Sequence, residues 1–141
     1  MDYAYYGQVK VRFADTDANG HAYFGSYVVF ADEVGSEYWV DLGWGFQTQE
    51  EQPALTFMVN SNIDYLSECL YGDWLDVGVR FSRLGNKSIT MSFEITNRRS
   101  GEVAARGDFV SAFVDKETRK SCPVPETFRE SVLARQPELA G

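Results

Sequence analysis

The sequence predicts an α+β fold in which one long helix lies on one face of a curved antiparallel sheet. Two observations carry this. Apolar residues recur at helical spacing in a single stretch, roughly residues 23–42, and with a period of two almost everywhere after it. The elements are also segregated, strand first, then the helix, then four or so strands, where a parallel sheet would alternate them. A helix of about 20 residues is about 30 Å long, enough to be wrapped by five or six strands. The chain has 141 residues, one ordinary domain over 1–141 with a core that needs no staples.

The elements follow in order. From Gln8 to Phe13 the residues alternate, Val9, Val11 and Phe13 on one side and Gln8, Lys10 and Arg12 on the other, which predicts a half-buried strand. A polar turn, Ala14 to His21, comes next. In the helix, Tyr27, Phe30, Ala31, Val34, Tyr38 and Leu42 form the apolar stripe, opposite Asp32, Glu33, Ser36, Glu37 and Asp41. Gly43 suits the left-handed position just past its end. The first turn (Tyr23, Phe24, Tyr27, Val28, Val29) is apolar nearly all round, so burial of that end is expected.

Residues 43–54 read as a loop. Phe57, Val59, Ser61, Ile63 and Tyr65 then make one face of a strand; Leu75, Val77, Val79 and Phe81 make the next, and Ile89, Met91, Phe93 and Ile95 the one after. Leu84-Gly85-Asn86-Lys87 has hairpin chemistry, because glycine and asparagine tolerate positive φ. A second turn falls at 97–101. A long strand follows from about Glu102 to Val114, with Gly107 as a bulge or bend, and Pro125-Glu126-Thr127 opens a short helix.

Hydrophobic residues are 44% and aromatics 15% of the chain, which excludes disorder. A formal charge of −8 repels phosphate backbones and anionic lipid, so neither nucleic acid nor membrane insertion is expected. No stretch of 18 apolar residues and no leader pattern is present. With two cysteines, Cys69 and Cys122, read as small hydrophobes with reduced thiols, a cytoplasmic location is expected.

Nucleophile elbows, phosphate loops and dinucleotide fingerprints are absent from the sequence. One histidine and two distant cysteines do not make a zinc site. Asp15 and Asp17 supply half of a hard-metal site with no further carboxylate cluster, so no metal and no cofactor are expected. What remains is the turn before the helix. A helix N-terminus offers N–H groups and partial positive charge that polarise a carbonyl. A carboxylate beside it, Asp17, can attack that carbonyl or activate water. On residues alone the alternative stays open that Asp15, Asp17 and Asn19 merely cap the helix and satisfy the turn.

The run Val11-Arg12-Phe13-Ala14-Asp15-Thr16-Asp17-Ala18-Asn19-Gly20-His21-Ala22-Tyr23-Phe24, with Tyr27 and the Glu-bearing helix, resembles the hotdog-fold acyl-CoA thioesterases, nearest to the 4-hydroxybenzoyl-CoA thioesterase type. The resemblance continues through Ile63-Asp64-Tyr65, Gly72-Asp73-Trp74-Leu75 and Gly85-Asn86-Lys87-Ser88 to Pro125. It implies hydrolysis of an acyl- or aroyl-CoA, with Asp17 as nucleophile or general base and the Phe24 backbone N–H as donor to the thioester carbonyl. The Phe24 ring would only pack. His21 is implied to orient Asp17 or line the acyl pocket, with Asn19 similarly placed. Lys87, Ser88 and Arg83 are implied to meet the CoA phosphates, where cations at a tight turn suit an anionic nucleotide; the same residues also read as a solvated hairpin tip. Asn60 and Asn62 would shape the site across a homodimer or homotetramer interface, Asp64 is assigned to structure, and Arg98 and Arg99 to surface charge.

Two other functions compete. A hotdog hydratase spaces Asp and His by four residues with a proline between, whereas Asp17 and His21 are closer and lack it; a dehydratase would need Glu33, which faces away from the apolar stripe. A non-catalytic acyl-CoA-binding module would leave Asp17 idle.

Overall fold

The structure, a computed structural model, describes residues 2–140. Five strands, β1 (Tyr5–Lys10), β2 (Ala54–Tyr65), β3 (Trp74–Leu84), β4 (Ser88–Asn97) and β5 (Val103–Asp115), form one sheet in the order β1-β3-β4-β5-β2, every neighbouring pair antiparallel. The long helix α1 (Phe24–Asp41) packs across β1, β3 and β4, and a short α2 (Glu126–Arg135) follows the sheet. This is the one-helix, five-strand α+β architecture expected from the periodicity.

The period-two reading holds best in the centre. Leu75, Val77, Val79 and Phe81 of β3 and Ile89, Met91, Phe93 and Ile95 of β4 are all buried against the apolar stripe of α1, where Tyr27, Phe30, Ala31, Val34 and Tyr38 are also buried. Gly43 takes φ +83° after the helix, the left-handed conformation foreseen for it.

Several expectations are corrected. The first strand ends at Lys10, Val11 is fully buried, and Phe13 lies in a 3-10 turn (Phe13–Asp15) with its ring 78% exposed. The Asp15 carboxylate takes the Arg12 backbone N–H and guanidinium, which bends the chain out of the sheet before Phe13. The helix start is exposed, with Tyr23, Phe24 and Val29 all open; the stripe that anchors α1 begins only at Tyr27. Residues 46–51 form a 3-10 segment where a loop was expected.

In β2 the single apolar face is broken. Met58 pairs with Ser111 but Asn60 pairs with Val110, so Val59 is an extra residue, a β-bulge. Cross-strand partners share a face, so Thr56 and Met58 before the bulge lie on the same face as Ser61, Ile63 and Tyr65 after it. Phe57 therefore lies on the opposite face, with Asn60 and Asn62.

The two glycines of the turn readings act by closeness. Gly85 does not have a positive φ; its N–H donates to the Ser88 carbonyl at 2.8 Å, and a Cβ there would meet that oxygen at 2.9 Å. Gly107 pairs regularly with both Ile63 and Phe93, without a bulge, and a Cβ would collide with the Asn62 carbonyl.

The C-terminal segment closes the core. Phe128 and Val132 of α2 are buried, with Phe128 stacked on Trp39 at 4.7 Å. Beyond the end of β1, the buried Gln136 side chain replaces a strand. Its Oε1 accepts from the Phe81 N–H (2.9 Å) and the Tyr38 hydroxyl (2.9 Å), and its Nε2 donates to the Phe81 carbonyl (2.7 Å).

Candidate active site

The turn that carries Asp17 is a closed loop. Thr16 and Ala22 form an antiparallel bridge; the Asp17 N–H donates to the His21 carbonyl (2.9 Å), and the Gly20 N–H donates to the Asp17 carbonyl (3.0 Å). Gly20 adopts φ +79°, which an L side chain rarely accepts. The exposed Asp17 carboxylate receives the Asn19 backbone N–H at 2.9 Å. Asn19 thus acts through its backbone to fix the carboxylate.

The same loop is tied to the start of α1. The Asp15 carbonyl accepts the Tyr23 N–H and the Ser26 hydroxyl, both at 2.8 Å. Tyr23 is the N-cap residue, and no side chain caps the helix. Phe24 and Gly25 occupy the first two helical positions, where donors outrun the helix's own acceptors. Asp15, Asp17 and Asn19 therefore do not cap the helix, while Asp17 and Asp15 do satisfy turn N–H groups, those of Asn19 and Arg12. Asp15 and Asp17 have different tasks: Asp15 is buried and its carboxyl is held below the usual carboxylate range by the Arg12 guanidinium, while Asp17 stays open to solvent.

Around the helix start lies an aromatic cluster. The Phe24 ring, 61% exposed, stands 4.3 Å from Tyr23 and 6.4 Å edge-on from Tyr65, centroid to centroid. Tyr65 in turn meets Tyr27.

His21 does not reach for Asp17. Its Nε2 lies 2.8 Å from Glu68 Oε2, and its backbone bridges Leu70. Glu68 is a partner that the sequence reading missed. So is the clamp behind it. Buried Asp73 accepts from Arg99 Nε (2.8 Å) and Nη2 (3.1 Å), Asn97 Nδ2 (2.8 Å) and the Leu70 N–H (2.8 Å). Four donors, the guanidinium foremost, lower its pKa to about 2. Arg99 is thus no loose surface charge, and Arg98 is bonded to Asp76 over the Trp74 ring. Because Leu70 carries both the Asp73 bond and the His21 bridge, the clamp holds the Asp17 turn from behind.

The expected nucleotide contacts are elsewhere. Lys87, Ser88 and Arg83 lie at the β3–β4 hairpin, where Arg129 of α2 joins them by donating to the Gly85 carbonyl (2.7 Å). The Asp17 turn lies at the opposite end of the sheet, where Ala22 and His21 meet Cys69 and Leu70. Eleven residues of β3 separate the two ends, about 33 Å at ~3.3 Å per residue. One chain does not bring Asp17 and Lys87 together. Asn60 sits on the sheet face away from α1, where its Oδ1 accepts from Asn62 Nδ2. Glu33 is exposed, as the helical wheel required. Among the described residues no group of His, Cys, Asp or Glu is arranged to hold a metal ion, and no helix is long and apolar enough to cross a membrane.

Residues 11–132 match the family model described as the Thioesterase-like superfamily. An acyl-CoA thioesterase of Haemophilus influenzae is 29% identical over 127 residues, 89% of this chain and 92% of the relative. A 1,4-dihydroxy-2-naphthoyl-CoA hydrolase of Synechococcus elongatus is 23% identical, over 89% of this chain and 93% of its own length. Among solved structures, a Thermus thermophilus thioesterase complexed with coenzyme A and zinc is 29% identical, with a TM-score of 0.81 and 96% of each chain covered. The hotdog fold implied by the sequence motifs is the fold observed.

Proposed function

The chain belongs to the Thioesterase-like superfamily, and from that premise we propose that it hydrolyses acyl-CoA thioesters, with Asp17 as the catalytic carboxylate. The observation that carries the reading is the juxtaposition of an open carboxylate, fixed by the Asn19 N–H, with a helix start that no side chain caps. The thioester carbonyl oxygen accepts from the Phe24 N–H, where the helix dipole stabilises the charge that develops on it. Asp17 then either attacks the carbonyl carbon, expelling the CoA thiolate and leaving an anhydride for water to open, or takes a proton from the water that attacks. Both routes give a free acid and CoA.

The site is completed by a second copy. β2 is an edge strand without lysine or proline from Phe57 to Tyr65, and it exposes Phe57, Met58, Val59 and Tyr65. A two-fold partner adding its own β2 antiparallel closes this edge. Since Ala54 stands at the hairpin end of the sheet and Tyr65 at the Asp17 end, pairing about the bulge sets the partner's hairpin cations beside Asp17. CoA phosphates would then meet Lys87, Arg83, Ser88 and Arg129 of one protomer while its thioester lies at Asp17 of the other. The free thiols of Cys69 and Cys122 suit a reducing, cytoplasmic setting.

Asp17→Asn tests the assignment against Asp15→Asn. Hydrolysis followed by free thiol should fall by orders of magnitude in the first, with an unchanged melting temperature. Asp15→Asn should lower the melting temperature, by loosening the Arg12 pair, and cost activity much less. Equal activity losses overturn the division of roles.

A further inference from the structure

A cavity of about 830 Å³ lies between the C-terminal half of α1, the 45–52 segment and the start of β2. Its size falls in the range of small-ligand sites. Trp39, Trp44, Tyr5 and Phe113 supply aromatic walls, and Asp32, Glu37 and Asp41 supply three carboxylates; among the described residues no lysine, arginine or histidine lines it.

The walls are firmly held. Trp39 is stacked on Phe128 on one side, and Trp44 meets Phe128 edge-on at 5.4 Å. Across the cavity, Gln52 Nε2 donates to the Gly45 carbonyl and to Thr48 Oγ1, which fixes the segment that carries Trp44. Of the three acids, Asp41 is paired with Arg135 and Glu37 accepts from the Tyr5 hydroxyl at 3.1 Å. Asp32 is exposed and forms no ion pair among the described residues; the protein packed around it, with the Glu33 charge, holds its carboxyl above the usual range.

Aromatic faces attract a cation through their quadrupole, most strongly when the cation is poorly hydrated. Carboxylates around the same space add charge complementarity and repel an acyl group that carries its own carboxylate. We propose that this cavity receives the acyl portion of the substrate and selects one that bears an alkylated ammonium group. The proposal rests on the thioesterase reading and on the paired β2 strands. Along one helix the cavity end is about 24 Å from Phe24, from Phe24 to Val40 at ~1.5 Å per residue, too far for a short acyl group. Leu55, Thr56 and Phe57, which wall the cavity, are the part of β2 that the two-fold carries towards the partner's Tyr65 and Phe24.

Two measurements test it on the intact protein. The first is a calorimetric titration with choline against its neutral isostere 3,3-dimethylbutan-1-ol. Choline should bind at least about tenfold more tightly, and Asp32→Asn and Trp44→Leu should each weaken choline without weakening the alcohol. The second compares hydrolysis of trimethylammonioacetyl-CoA with that of isosteric 3,3-dimethylbutanoyl-CoA. The cationic ester should have the higher kcat/KM, by about tenfold or more. Equal binding of choline and the alcohol, or equal or faster turnover of the neutral ester or of benzoyl-CoA, overturns the proposal. Selective choline binding by a protein that hydrolyses no acyl-CoA would support the cation site and overturn the hydrolytic reading instead.

Discussion

Replacing Asp73 by Asn separates the clamp's charge from its shape. The Asp73 carboxyl is lowered from its ordinary 3.8 to about 2 in the folded chain, chiefly by Arg99. That difference, at ~1.36 kcal/mol per pH unit, is worth about 2.4 kcal/mol of stability at neutral pH. A depressed carboxylate stabilises the fold above its unfolded pKa and loses that stabilisation as pH falls through its folded one. The window is therefore pH 4 to 2, with about 1.3 kcal/mol left at pH 3. Unfolding entropy of ~2.1 cal/mol/K per residue, over 141 residues, converts 2.4 kcal/mol to about 8 °C in Tm. Calorimetric melts of both proteins at pH 7, 4 and 3 should show that gap at pH 7 and a narrowing towards pH 3. A gap that is absent at pH 7, or that does not narrow, refutes the argument that charge makes this clamp.

Gln136→Met should cost more than a usual core substitution, about 3 kcal/mol, because it strands the Phe81 N–H, the Phe81 carbonyl and the buried Tyr38 hydroxyl together; urea unfolding at neutral pH measures it. Lys87→Ala and Arg83→Ala should raise KM for acyl-CoA more than they lower kcat, since they hold a remote nucleotide alike in ground and transition state. That effect should shrink at high salt and vanish on truncated thioesters without the nucleotide.

The parts legible in the sequence are those set by local periodicity. β3, β4 and the stripe of α1 each bury one face against the other, so alternation and helical spacing translate directly into contacts. The place of the Asp17 turn just before the helix was legible, because both lie within eight residues, but the exposure of that helix start and the His21 partner were not. What escaped depends on partners far along the chain. Arg99 looked like surface charge because Asp73 lies 26 positions away, and Glu68 was invisible to His21 for the same reason. The bulge at Val59 leaves no mark on an alternating strand, since an extra residue changes only the facing. Glycine's reason was misread at Gly85 and Gly107, because a close approach of another backbone depends on the folded partner and not on the turn itself.

The separation of Asp17 and Lys87 along β3 has a genetic consequence. If each cleft takes its carboxylate from one chain and its cations from the other, two differently damaged chains can mend one another. A heterodimer of Asp17→Asn with Lys87→Ala holds one cleft with both lesions and one with neither. Co-expressed and assayed at acyl-CoA far below the raised KM, where each allele alone fails, the two would restore up to half of the wild-type turnover per heterodimer. Two alleles damaged in the same half of the site would restore none. Complementation between alleles thus reports which residues share a cleft.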